Sequence, residues 1–219
     1  MRVIRDIGLQ LDYEENLHTP RQYTSDFSFR SRFIGNYLKR QIKQSKFVPT
    51  GYTRLVINAC HIIKPNRIFE NCLCVSIFFD KALYDNMKNG ELPDFFIDMY
   101  IDGINQAKLT DNIPVAFLNN KLKEFKADGY KNEWEFKSKT FKEIGIKTSL
   151  FCKMTMDTFT LSLTLYKKKE LIFEREILTT LPDETCYHYQ FKDVILENNT
   201  IIITSWYDAP PLYLLDLSF

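Results

Sequence analysis

Glycine is scarce in this 219-residue chain. The seven glycines are scattered, and no run of them forms a loop able to cradle a phosphate. Proline adds eight residues, so collagen-like, low-complexity and linker-rich architectures are excluded. There is no dinucleotide fingerprint, no His-Glu-x-x-His and no Gly-x-Ser-x-Gly. The three histidines leave little material for imidazole chemistry. Five cysteines, an odd count without regular spacing, do not make a disulfide framework. The longest apolar stretch, Cys72–Phe79, is interrupted by Ser76 and too short to span a bilayer. The opening MRVIRDIGLQ carries charges where a secretory signal needs an apolar core. These absences lead to the expectation of a reduced, cytoplasmic protein with no cofactor and no membrane partner.

What is present is apolar and aromatic. Hydrophobic residues make up 45% of the chain, which excludes disorder as a whole-chain reading, and 18 Phe and 12 Tyr supply large core side chains. The net charge of +1 gives no global field toward nucleic acid or membrane. The charge is unevenly spread: residues 1–60 hold 10 basic and 5 acidic side chains, and residues 151–219 hold 6 basic and 10 acidic. Such poles pair within one fold or face separate partners.

The hydrophobic period changes near residue 130. Before it, residues 2–13 read as a strand, and a helix is expected from Ser25 or Asp26 to about Phe47, with Phe33, Ile34, Tyr37, Leu38 and Ile42 on one face. Tyr52–Ile63 and Asn71–Phe79 read as strands. Asp80 caps a short helix, Pro93 starts a second running to about Leu109, and Pro114 starts a third that Gly129 stops. Beyond residue 130, strands are expected over Trp134–Phe141, Ile146–Met154, Thr158–Tyr166, Leu171–Leu178, Cys186–Leu196 and Thr200–Tyr207, with Lys167–Lys169 and Asn198-Asn199 as hairpin turns. The class is α+β: an antiparallel meander in the C-terminal half, with a helical block and a few N-terminal strands packed on it. One domain over residues 1–219 is expected, and any sub-division falls near 130, into 1–129 and 130–219.

Five constellations carry possible chemistry. Glu91, Asp94, Asp98 and Asp102 step along one quarter of a helix whose other faces are apolar; this strip either solvates the helix or meets a basic partner. Arg32, Lys39, Lys43 and Lys46 form a basic ridge, but the near-neutral chain disfavours nucleic acid. Cys72, Cys74, Cys186 and His188 share a face if each pair lies on a strand, a weak alternative as a tetrahedral zinc site beside the plain reading of buried thiols. As nucleophile pairs, Cys60-His61 face opposite ways on a strand, and Cys186 with His188 lacks a third orienting group. Trp206 and Tyr207, next to Pro210-Pro211, are candidate aromatic anchors.

In size, meander, cysteine-bearing strands and segments such as Gly129-Tyr130-Lys131-Asn132-Glu133-Trp134 and Leu181-Pro182-Asp183-Glu184, the chain resembles the small cytoplasmic immunity proteins of bacterial polymorphic-toxin systems. The resemblance lies in general character, so no residue roles transfer. It implies a protein-binding module, not an enzyme, whose partner is a cognate toxin domain. Glu91, Asp94, Asp98, Asp102, Trp206 and Tyr207 are then the expected contacts. The alternatives are a small hydrolase or transferase using His61, His188 and a carboxylate in a pocket between helices and meander, and a regulatory protein that contacts nucleic acid through the basic ridge.

Overall fold

The computed structural model describes residues 3–217. The chain divides into two compact units, Met1–Asn132 and Glu133–Phe219. The class is mixed α+β, with helices and a first sheet ahead of an antiparallel sheet in the C-terminal half.

In the first unit, strands β1 (Asp6–Leu11), β2 (Arg54–Cys60), β3 (Arg67–Phe69) and β4 (Cys72–Phe78) form a sheet in the order β1-β2-β4-β3. β1, β2 and β4 run parallel, and β3 lies antiparallel along the β4 edge. Parallel neighbours need a long crossover, and helix α1 (Arg21–Ile42) supplies it between β1 and β2. Alternate residues Ile7, Leu9 and Leu11, Leu55, Ile57 and Ala59, and Leu73, Val75 and Ile77 are buried. Each strand therefore reads with period two. The core is completed by α1 and by α3 (Leu92–Ala107) and α4 (Val115–Ala127), through Phe27, Ile34, Leu38, Phe96, Tyr100, Ile104, Leu118 and Phe125.

Two glycines set how closely the helices approach the sheet. A Cβ on Gly35 would lie 2.2 Å from the Ile7 carbonyl oxygen, and one on Gly103 would lie 2.4 Å from Ile57 Cδ1. The short helix α2 (Lys81–Asn86) starts where expected: the Asp80 carboxylate accepts the Leu83 N–H at 2.9 Å.

In the second unit, β5 (Glu133–Phe141), β6 (Ile146–Met154), β7 (Phe159–Lys167) and β8 (Glu170–Thr180) form an antiparallel meander. Leu150, Cys152, Met154, Phe159, Leu161, Leu163 and Leu165 are buried along one face. A second, three-stranded sheet has the order β11-β10-β9, built from β9 (Asp193–Glu197), β10 (Thr200–Thr204) and β11 (Tyr213–Asp216).

The structure corrects four element assignments. Helix α1 begins at Arg21, ahead of Ser25, because Pro20 sets the entry while the first turn is too polar to show a hydrophobic period. β3 is three exposed edge residues, too short to register as a strand, and β11 hides behind Pro210-Pro211. The expected strand Cys186–Leu196 is instead a helical turn, α5 (Glu184–Tyr187), followed by β9.

Candidate functional site

The turn α5 builds one side of an aromatic platform in the second unit. Its first turn closes on Asp183, whose carboxylate accepts the Thr185 N–H at 2.8 Å. Tyr187 points inward and stacks on Phe159 with ring centroids 3.6 Å apart. With Tyr187 buried, His188 and Tyr189 are left outward. The other side is the loop from β10 to β11. The Trp206 N–H donates to the Tyr189 carbonyl at 3.1 Å. The Ser205 hydroxyl lies 2.9 Å from the carbonyl oxygens of both Gln190 and Pro210, and donates to one at a time. Loop and helical turn are thereby fixed to each other.

Four rings and one ammonium meet there. His188 stacks on Trp206 at 5.9 Å and 25°, Tyr189 lies 5.5 Å from Tyr207, and Lys192 Nζ sits 4.9 Å over the Trp206 ring. Tyr207 is 79% exposed and Tyr189 50%. Tyr207 and Asp208 are both left-handed, at φ 59° and 54°, in a turn closed by the Ala209 N–H on the Trp206 carbonyl. An aromatic residue held in that region is strained, and such strain collects at binding sites. Trp206 and Tyr207 were legible as candidates; Tyr189 and Lys192 were not. The cap signature Asp183-x-Thr185 was the available signal, since a helical turn there sends residues 188 and 189 outward.

The acidic strip is less available than its spacing suggests. Glu91 turns back to accept the Lys88 N–H at 2.8 Å. Asp94 is paired with Lys126 at 2.7 Å and accepts the Tyr130 hydroxyl. Lys126, then Tyr130, hold its carboxyl below the ordinary carboxylate range; burial, then Asp94, push the Tyr130 phenol up to about 12. Asp98 and Asp102 are left as the outward pair. Partial burial, then the Asp98 charge, raise the Asp102 carboxyl. Of the basic ridge, Arg32 pairs with Asp6 at 2.6 Å, and Arg40, next to Lys39 in sequence, donates to the Asn132 side chain.

Cys72 and Cys74 lie on β4 in the first unit, and Cys186 and His188 on or beside α5 in the second. On a helical turn, i and i+2 do not share a face, so the premise of a common Cys186/His188 face fails. Among the described residues, no group of three or more His, Cys, Asp or Glu side chains is placed to hold a metal ion. Burial pushes the Cys60 and Cys74 thiols up, away from the reactive thiolate. His61 belongs to the first unit, with its ring 5.9 Å from Phe78, and His188 to the second.

One polar cluster had no sequence signal. Loop 61–66 leaves β2 and is tied to the loop after β1. Glu15 accepts the N–H groups of His61 and Ile62 at 2.6 and 2.9 Å. Lys64 Nζ reaches both oxygens of Asp12, at 2.7 and 2.9 Å, and Glu14 at 2.8 Å. Asn58, Arg67, Cys74 and Ser76 join Asp12 and Lys64 around a cleft of about 360 Å3. Its acid and base neutralise each other, which makes it a strap between loops. No helix in the described residues is long and apolar enough to cross a membrane. No protein-family model, curated protein or solved structure matches the chain.

Proposed function

We propose that this chain is a cytoplasmic protein-binding module that docks on one protein partner and neutralises it, as the immunity proteins of bacterial polymorphic-toxin systems do with their cognate toxin domains. The observation that carries this reading is the platform of Tyr189, Trp206 and Tyr207: exposed Tyr189 and Tyr207 flank a half-buried Trp206, and the strained loop that carries Trp206 and Tyr207 is pinned to the turn that carries Tyr189. Tyr and Trp anchors of low conformational freedom dominate binding energy at protein interfaces. The chemistry around them favours a basic partner. Asp208 stands beside Tyr207, and the second unit holds 10 basic against 13 acidic side chains. An arginine from such a partner stacks on the exposed rings and pairs with the carboxylate. Asp98 and Asp102, exposed on α3 of the first unit, are the competing negative surface. All five cysteines are free thiols, which suits a reducing compartment.

The test is affinity capture from the native host with the wild-type chain and with Tyr189→Ala/Tyr207→Ala as parallel baits. One stoichiometric basic protein is expected on the wild type, with affinity reduced roughly 30-fold or more on the variant. Expressed alone, that partner should arrest host cells, and co-expression with this chain should rescue them. Equal capture by both baits removes the platform; a partner that is harmless alone removes neutralisation.

A further inference from the structure

A second surface of the Glu133–Phe219 unit has a different chemistry. At one end of the meander, the turns β5–β6 and β7–β8 lie side by side. Between them is an open groove of about 550 Å3, lined by Thr140, Lys142, Gly145, Lys147, Tyr166, Lys168 and Lys169. Its floor is a row across three strands, because Lys147 pairs in register with Thr140 on one side and with Tyr166 on the other. Its rim is the two turns. Four of the unit's 10 basic side chains thus converge here, in a unit whose acids outnumber its bases. Glu143 and Glu170 adjoin the groove in sequence, yet no ion pair among the described residues engages Lys142, Lys147, Lys168 or Lys169. Like charges gathered without a counter-charge repel, and an anion relieves that repulsion.

The turn itself is an independent sign. Lys168 and Lys169 are both left-handed, at φ 50° and 73°, in a two-residue hairpin. Asn and Gly suit those positions, and lysine does not. The β9–β10 hairpin of the same unit makes the same two-residue turn with Asn198 and Asn199, at φ 47° and 61°. The chain has the favourable residues in one hairpin and places strained lysines in the other, where both residues line the groove.

We propose that this groove binds a compact organic polyphosphate of the nucleoside di- or triphosphate class, with phosphates among Lys142, Lys147, Lys168 and Lys169 and the ring of the base on Tyr166. Lysine serves phosphate as a point charge, and an aromatic face accepts any base by stacking. The volume lies within the range of small-ligand pockets. A long nucleic-acid strand fits less well. Further along the same face of the sheet, Glu174 pairs with Thr164 and Glu176 with Ser162, so an extended polyanion would run onto carboxylates.

The test is calorimetric titration and thermal melting of the full chain with ATP free of divalent cations, with inorganic tripolyphosphate and with a short thymidine oligonucleotide. ATP should bind and raise the melting temperature, and tripolyphosphate should bind more weakly. Lys147→Gln/Lys168→Gln should cut ATP affinity about tenfold or more while the unliganded melting temperature holds or rises, as relief of repulsion requires. Tyr166→Leu should close the gap between ATP and tripolyphosphate. No ATP binding at millimolar concentration overturns the proposal, as does undiminished binding by the double lysine variant. Binding of the oligonucleotide in preference to ATP overturns it in favour of nucleic acid. An unchanged gap in Tyr166→Leu removes the ring from the site.

Discussion

Asp12 shows how much one side chain can hold in this chain. It is 6% exposed at the end of β1, where an isolated carboxylate would be costly. Burial works to raise its pKa, but the Lys64 ammonium and the N–H groups of Glu15 and Glu14 outweigh burial and hold the carboxyl below its usual range. A depressed folded pKa gives stability that is complete above the unfolded carboxylate value, about 4, and is lost as pH falls through the folded value. Lys64→Met leaves the buried charge with only backbone donors. It should cost about 2 kcal/mol at neutral pH, and the gap from wild type should close in acid, where Asp12 is protonated. Urea melts of both proteins at neutral and at acid pH measure this. A gap that persists in acid would mean that Lys64 stabilises by packing its stem and not by its charge.

At the scale of elements, the helices and hairpins were readable to different depths. Ile146–Met154 was legible to the residue because Gly145 precedes it and apolar residues recur at Ile146, Leu150, Cys152 and Met154, and the Asp80, Pro93 and Pro114 starts carried standard end signals. The parallel pairing of β1, β2 and β4 was not legible, since strand direction depends on contacts that no local pattern encodes. The close approach at Gly103 is equally invisible in sequence and makes a sharp prediction. A Cβ there lies 2.4, 2.5 and 2.7 Å from three side-chain atoms of Ile57. Gly103→Ala should therefore destabilise by about 1–3 kcal/mol, although alanine favours a helix. Combined with Ile57→Ala, the loss should fall short of the sum by about 1 kcal/mol or more, because the small side chain removes the clash. Strict additivity in chemical denaturation would show that helix α3 relaxes away from the sheet instead. The lysine hairpin gives the opposite sign. Lys168→Asn/Lys169→Gly should stabilise by about 1–2 kcal/mol, since it replaces two strained residues with those the turn prefers. A melting temperature unchanged by that pair would mean that the turn stores no strain.

For the whole molecule, the charge pattern of the sequence was a poor guide to its surfaces. The two charge ridges that stood out by helical spacing are partly engaged within the first unit: Arg32 with Asp6, Asp94 with Lys126 and Tyr130, Glu91 with the backbone of Lys88. The surfaces left over come from residues far apart in sequence. The platform joins positions 188–192 to 206–208, and the lysine groove joins 140–147 to 166–169, and neither grouping can be read before the strands are paired. Two separate units also make the location of a partner measurable. If the platform is the contact, the captured partner should slow amide hydrogen exchange in 186–192 and 204–212 and leave the α3 segment 92–107 at its unbound rates. Protection confined to the segment bearing Asp98 and Asp102 would transfer the function to the acidic strip and to the other unit. The two outcomes also differ in salt response. Aromatic anchors in a desolvated contact hold their affinity as ionic strength rises, whereas two exposed carboxylates mainly set the association rate and lose it to screening. Exchange and salt titration on the same complex therefore have to agree. Protection at the platform should come with a dissociation rate that depends only weakly on salt, because rings hold the partner there and Asp208 adds a single carboxylate.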